Sequence, residues 1–166
     1  MNVETFEDLF GYQLQHAYYV ERTHVELLSE MAADAPNEAL GDCFDEHREQ
    51  TDRQIDRLAS VFEALGRQPR ASRTRTIDGV VESWHQHGES ADEPAVPTPL
   101  EIALMTERLE IRAYESLVML AGRLAYADDV VEPLESNLAE ERETLQALEE
   151  LETELSVLET TAVEGT

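Results

Sequence analysis

Two glutamates three residues apart on a helix share a face and can hold one cation between them, so Glu-x-x-Glu is the first pattern to follow. It occurs at Glu4/Glu7, Glu46/Glu49, Glu107/Glu110, Glu132/Glu135, Glu140/Glu143 and Glu149/Glu152. With 37 acidic residues in 166, the spacing alone carries little. Phase discriminates: only Glu107 and Glu110 both fall on an apolar helical stripe, between Leu104 and Tyr114, while every other pair turns a member to solvent. A buried ionised carboxylate costs on the order of several kcal/mol unless it is paired or bound to metal. Arg108 and Arg112 lie off that face, which leaves a metal cation or a buried hydrogen-bonded network to neutralise the pair.

Each of the other long helical segments supplies one comparable residue. These are Glu21 beside Val20, His47 between Phe44 and Thr51, and Glu141 between Leu138 and Leu145. Counted from the turns, Glu21, His47, Glu110 and Glu141 lie at similar depths, within ~6 Å along the bundle axes at about 1.5 Å per residue. Taken singly, His47 could be a satisfied core histidine and Glu21 a stripe-edge residue reaching solvent. Their joint occurrence argues for one cluster, and carboxylates with imidazole suit iron or manganese. His24, one turn after Glu21, is a further ligand candidate. His16, His85 and His87 read as exposed, and Tyr18, Tyr114 and Trp84 as core aromatics. No phosphate-binding glycine loop, nucleophilic triad or zinc-type cysteine set is present.

Four long helices must position these groups. The first starts after Thr5, an N-cap with Asp8 three residues on, and carries the stripe Phe6, Phe10, Leu14, Ala17, Val20, His24, Leu28, Met31 before ending near Ala35-Pro36. The second opens at Asn37, passes through Leu40, Phe44, His47, Thr51, Ile55, Leu58, Phe62 and Leu65, and stops at Gly66. From about Arg67 to Pro99 the chain is broken by Pro69, Gly79, Gly88, Pro94, Pro97 and Pro99, with one short helix allowed around Ile77, Val80, Val81 and Trp84. The third long helix begins at Thr98-Pro99. After a break at Tyr126 to Asp129, the fourth follows with Val131, Leu134, Leu138, Leu145, Leu148, Leu151 and Leu155. Two hairpins joined by a long crossover predict an all-α, ferritin-like four-helix bundle over residues 1–158, with 159–166 as a flexible tail.

The net charge is −25 and every basic residue is arginine. Such a charge removes the electrostatic attraction for nucleic acid phosphates and anionic lipid head groups, so neither nucleic acid nor membrane is expected as a partner. The acids are spread along the chain rather than massed in a tail, which reads as a solvated surface adapted to a high-salt, halophilic cell. Cys43 is the single cysteine, and the amino terminus shows no basic segment before an apolar run. A cytoplasmic location is the expectation.

Taken together, Asn2-Val3-Glu4-Thr5-Phe6-Glu7-Asp8-Leu9-Phe10 with Glu21 downstream, His47-Arg48-Glu49-Gln50-Thr51 with Arg57-Leu58, Glu107-Arg108-Leu109-Glu110 before Ala113-Tyr114, and Leu138-Ala139-Glu140-Glu141 form an ordered set. In that order and spacing the chain resembles the YciE/YciF family of ferritin-like proteins over approximately residues 1 to 155. That family is distantly similar to rubrerythrin. The resemblance implies a homodimer and a di-iron centre, with one glutamate on the first helix, a ligand pair on the second, Glu-x-x-Glu on the third and Glu-x-x-His on the fourth. Glu21, His47, Glu107, Glu110 and Glu141 match metal-ligand positions of that pattern. Gln50 and Thr144 stand where two further ligands would be, which leaves one ion or two, and compensation by His24, open.

The expected function is a ferroxidase- or peroxidase-like oxidoreductase, in which iron, or manganese in its place, reacts with dioxygen or peroxide during stress. The alternative is a non-catalytic, stress-associated bundle with a structural or vestigial metal site, motivated by Gln50 and Thr144. No cage interface that would support iron storage is apparent in the sequence.

Overall fold

Capping chemistry sets where the helices begin. The Thr5 hydroxyl accepts from the Asp8 N–H, and the Asp8 carboxylate accepts from the Thr5 N–H, both at 3.1 Å, so α1 (Phe6–Ala33) starts with a reciprocal box. Asn37 accepts from the Leu40 N–H at 2.9 Å to open α2 (Glu38–Ala64). The short helix allowed in the crossover is present as α3 (Arg75–Glu89), and it runs through Gly79 and Gly88, both expected as breaks. A second reciprocal box, Thr98 with Glu101, and Pro99 in the first turn start α4 (Pro99–Arg123). The last helix, α5 (Asp128–Glu164), runs on into the segment expected as a tail. This computed structural model describes residues 2–89 and 97–164. The side chain of His87, the break expected at Pro94, and Gly165 and Thr166 at the end of the expected tail lie outside the described residues.

The four long helices form a closed ring of antiparallel neighbours. Gln13 meets Ser116 at 2.8 Å and His24 meets Glu110 at 2.8 Å, so α1 and α4 run in opposite directions. Arg57 meets Asn137 at 3.0 Å and Gln50 meets Thr144 at 2.9 Å, which sets α2 against α5 in the same way. The hairpins α1–α2 and α4–α5 complete the ring. This arrangement requires the crossover to climb the full length of the bundle, and it does so along α1. Ser72 donates its N–H to the Gln15 carbonyl at 3.0 Å, Tyr19 donates to Asp78 at 2.6 Å, and Trp84 donates to Glu30 at 3.2 Å. From there α3 packs on both α1 and α4. The result is a ferritin-like helical bundle, and among the described residues no helix is long and apolar enough to cross a membrane.

Two apolar clusters fill the interior. One gathers Phe10, Leu14, Leu58, Phe62, Leu117 and Leu134; the other gathers Leu27, Met31, Phe44, Trp84, Ile102 and Leu148. Burying each such side chain stabilises the fold by about 1.5–3 kcal/mol. Between them lies a belt of buried polar residues contributed by all four long helices. The expected stripes are not buried throughout: Leu65, Val131, Leu145, Leu151 and Leu155 are half-buried, and Phe6 and Ile55 differ as well. Phe6 is exposed, because it precedes the first full turn of packing, and its ring lies under the Arg123 guanidinium. On α2 the buried position is Gln54 rather than its neighbour Ile55, in phase with His47, Thr51 and Leu58, and the Gln54 amide reaches Glu140 on α5 at 3.2 Å.

The C-terminal ends of α2 and α4 close in the same motif with different residues. At the end of α2, Gly66 has φ +68, and the Arg67 and Gly66 N–H groups bond back to Phe62 and Glu63. At the end of α4, Ala125 takes φ 51, and the Tyr126 and Ala125 N–H groups bond back to Ala121 and Gly122. A Cβ at Gly66 would meet nothing, so its cost is purely conformational. Gly66→Ala is expected to lower stability by about 1 kcal/mol. Ala125→Gly, the reverse exchange, is expected to raise it by a similar amount, about 0.5–1 kcal/mol, since backbone strain and unfolded-chain freedom enter both changes with opposite sign. Urea midpoints at unchanged slope measure both.

Candidate metal centre

The polar belt is built from helical repeats of three and four. On α1, Glu21 and His24 are one turn apart; on α4, Glu107 and Glu110 are one turn apart; α2 contributes His47 and α5 contributes Glu141. All six are buried, with 4% exposure at most. The five residues singled out in the sequence, Glu21, His47, Glu107, Glu110 and Glu141, are therefore brought together, and His24 joins them.

Their donor atoms fall into two overlapping groups: His24, His47, Glu107 and Glu110, and then Glu21, Glu110 and Glu141. Within each group one donor atom per residue lies within 4.8 Å of the others, and Glu110 belongs to both. His24 Nδ1 is 2.8 Å from Glu110 Oε1, and His47 Nε2 is 3.2 Å from Glu107 Oε1 and 3.9 Å from Glu141 Oε2. Donors that share an ion at about 2.1 Å each lie at most about 4.2 Å apart, so these separations fit common coordination. The two imidazole rings meet edge to face at 4.9 Å. This buried His/Glu cluster could hold a metal ion.

A chain of donors orients one of the carboxylates. Arg57 makes a two-pronged contact with Glu140 at 2.7 and 2.8 Å and donates to Asn137 Oδ1 at 3.0 Å. Since guanidinium can only donate, the amide oxygen of Asn137 must face it, which turns the amide nitrogen to the Tyr114 hydroxyl at 3.0 Å. Tyr114 then donates to Glu21 Oε1. One oxygen of Glu21 is thus occupied and the other left free. At the two positions that depart from the implied ligand pattern, Thr144 donates to Gln50 at 2.9 Å, so these half-buried side chains satisfy each other across α2 and α5.

Burial dominates the electrostatics of the cluster. It raises Glu21 and Glu107 well above the usual carboxylate range, helped by the charges of Glu110 and Glu141, respectively. Glu141 is raised from 4.5 to about 7 by burial and then by Glu110. Burial also holds His47 well below 6.5, with His24 adding to the effect. For His24, burial pulls downward, but the charge and hydrogen bond of Glu110 outweigh it and the net shift is upward. Tyr114 is pushed well above 10 by burial and by the Glu21 charge.

Helical phase marks the carboxylates and also His24, a ligand candidate on the α1 stripe one turn from Glu21, but not the groups that support them. Tyr114 was expected as a plain core aromatic, yet its hydroxyl holds a cluster residue. Asn137 lies four residues before Glu141 on the same face of α5; that spacing, in a stripe of leucines, was the available signal.

The chain matches the family described as "Domain of unknown function (DUF892)" over residues 5–161. It is 30% identical to Protein YciF of Escherichia coli K12 over 147 residues, covering 87% of this chain and 88% of that protein. Among solved structures, YcfI from Rhodopseudomonas palustris, described provisionally as a structural protein, superposes with a TM-score of 0.82 at 33% identity, covering 89% of this chain and 95% of that one. The E. coli stress protein YciF also gives 0.82, at 28% identity and with 90% and 95% covered. A protein from Xanthomonas campestris, at 22% identity and a TM-score of 0.74, shares the fold.

The raised carboxylates predict how metal-free protein responds to pH. Glu21, Glu107 and Glu141 each contribute stability that is complete below their ordinary 4.5 and is lost as pH rises through the folded value; for Glu141 that window is 4.5 to about 7. His24, raised from 6.5, acts in the same direction above 6.5, while His47, depressed, opposes it by gaining stability as pH rises toward 6.5, where that gain is complete. Between pH 5 and 7.5 the Tm of metal-free protein is expected to fall, and Glu141→Gln to make that fall shallower. Calorimetry at ~1 M salt, where screening over about 3 Å suppresses surface repulsion, isolates the effect. An equal slope in both proteins would contradict it.

Proposed function

Since this chain belongs to the DUF892 family, and four carboxylates and two imidazoles meet in its dry interior, we propose that it is a metal-binding ferritin-like protein. In this reading it holds two iron ions, or manganese in their place, and acts on dioxygen or peroxide under stress. The observation that carries this is the set of orphaned atoms. Glu21 Oε2, His47 Nε2, both oxygens of Glu107, Glu110 Oε2 and both oxygens of Glu141 are buried without a hydrogen-bond partner. Each such atom costs about 1–3 kcal/mol, more where charged, and a bound cation is the partner they lack. With neutral imidazoles, the four carboxylates balance two divalent ions with no charge left over.

The chain's own residues divide the work. The apolar clusters on either side exclude water. Tyr114 and Asn137 fix one oxygen of Glu21, whereas Glu107 and Glu141 have no such tether and are free to shift as charge changes. When bound, a pair of redox-active ions supplies the electrons that reduce the oxidant. The stress role of the relative in E. coli supports this reading.

A second reading is a structural metal site in a non-catalytic bundle. It is favoured by the Gln50–Thr144 hydrogen bond, since two side chains bonded to each other add no ligands. Anaerobic loading followed by elemental analysis is expected to give about two ions per chain. Glu107→Ala is expected to lose metal while keeping its helical circular dichroism, and Tyr114→Phe to weaken metal affinity by about 10–100-fold. Loaded wild type that oxidises Fe(II) with peroxide supports the redox reading. Metal-dependent melting without such turnover favours the structural one, and failure to bind either metal contradicts both.

A further inference from the structure

The two donor groups differ in kind. One contains two imidazoles, His24 and His47, with Glu107 and a share of Glu110; the other contains only carboxylates, Glu21 and Glu141 with the remaining share of Glu110. Imidazole nitrogen suits iron and zinc, whereas an all-oxygen set suits manganese and other hard ions. The imidazole position is lined by Glu107 and part of Glu110, with Glu141 at its boundary 3.9 Å from His47, and the carboxylate position by Glu21, Glu141 and part of Glu110.

We infer that the centre is built for two unlike divalent ions: a nitrogen-preferring ion of the iron or zinc class at His24, His47, Glu107 and Glu110, and an oxygen-preferring ion of the manganese class at Glu21, Glu110 and Glu141. This deepens the metal reading above and rests on it. Three features of the chain maintain the difference. His24 and His47 both belong to the first group, their rings in edge-to-face contact at 4.9 Å, and of the two only His47 approaches the second, with Nε2 3.9 Å from Glu141 Oε2. Glu21 is presented through one oxygen only, because Tyr114 occupies the other. Gln50 and Thr144, one turn after His47 and Glu141, are neutral and bonded to each other at 2.9 Å, so they do not even out the two positions.

The test uses the whole protein, stripped of metal and then given one equivalent each of Zn2+ and Mn2+ without oxygen. Anomalous scattering at the two absorption edges is expected to place zinc alone beside His24 and His47, and manganese alone among Glu21, Glu110 and Glu141. Both elements at both positions in comparable amounts would overturn the inference while leaving the metal reading intact. Neither element at either position would remove the metal reading itself. In solution, His24→Gln is expected to weaken Zn2+ by at least about tenfold and Mn2+ by less than about twofold, with Glu141→Gln doing the reverse, measured by chelator competition. Equal losses of both ions in each variant would also overturn it.

Discussion

The cost of holding Glu21, Glu107, Glu110 and Glu141 away from water is the constraint around which the bundle is organised. Ordinary packing offers little relief: apart from the Tyr114 hydroxyl on Glu21, the neighbours of these carboxylates are other carboxylates, two imidazoles and the two apolar clusters. A sequence selected for stability alone would place leucines at these depths and join the clusters into one core. Instead the core is interrupted at mid-height by a belt in which both oxygens of Glu107 and Glu141 and one each of Glu21 and Glu110 lack hydrogen-bond partners. Such a belt is stable as protonated groups at low pH or as ligands around cations, and the surrounding fold has to keep it dry in either state.

That requirement explains the long crossover. A short link between α2 and α4 would reverse the direction of the second hairpin and pair Glu107 and Glu110 with a different depth of α1. By climbing along α1 through Ser72, Asp78 and Trp84, the chain sets α4 antiparallel to α1, so that Glu110 meets His24. The same segment then lays α3 over α1 and α4, beside the helices that carry four of the six cluster residues. Across α2 and α5 the bundle is joined differently, by polar contacts: Arg57 with Glu140 and Asn137, and Gln50 with Thr144.

Much of this was legible because helical phase and depth are properties of a linear chain. Glu107 and Glu110 stood out by their phase, and counting from the turns at Ala35-Pro36 and Ala127-Asp128 brought Glu21, His47 and Glu141 to the same level. The N-caps at Thr5, Asn37 and Thr98 could be read from single residues and their neighbours three positions on. What could not be read depends on pairs formed only after folding. Tyr114 and Glu21 are separated by 93 residues, and Arg57 and Asn137 by 80. No local pattern says that a tyrosine hydroxyl in a stripe has a carboxylate opposite it. The partner of Gln54 is hidden for the same reason, since Glu140 lies on another helix.

The acidic surface and the acidic interior obey different physics although both are made of glutamate. Surface carboxylates are hydrated, and their attraction for a divalent cation is weak at any one point, though a net charge of −25 raises the cation concentration around the whole molecule in dilute salt. In concentrated salt that field is screened within a few ångströms and monovalent cations crowd the surface. The buried cluster escapes this competition: its donors are held by packing, the site is nearly sealed from solvent, and imidazole nitrogen has little affinity for alkali ions. Discrimination in favour of a transition metal must therefore come from the belt, and within the belt most directly from His24 and His47, the only donors that a hydrated surface acid cannot imitate.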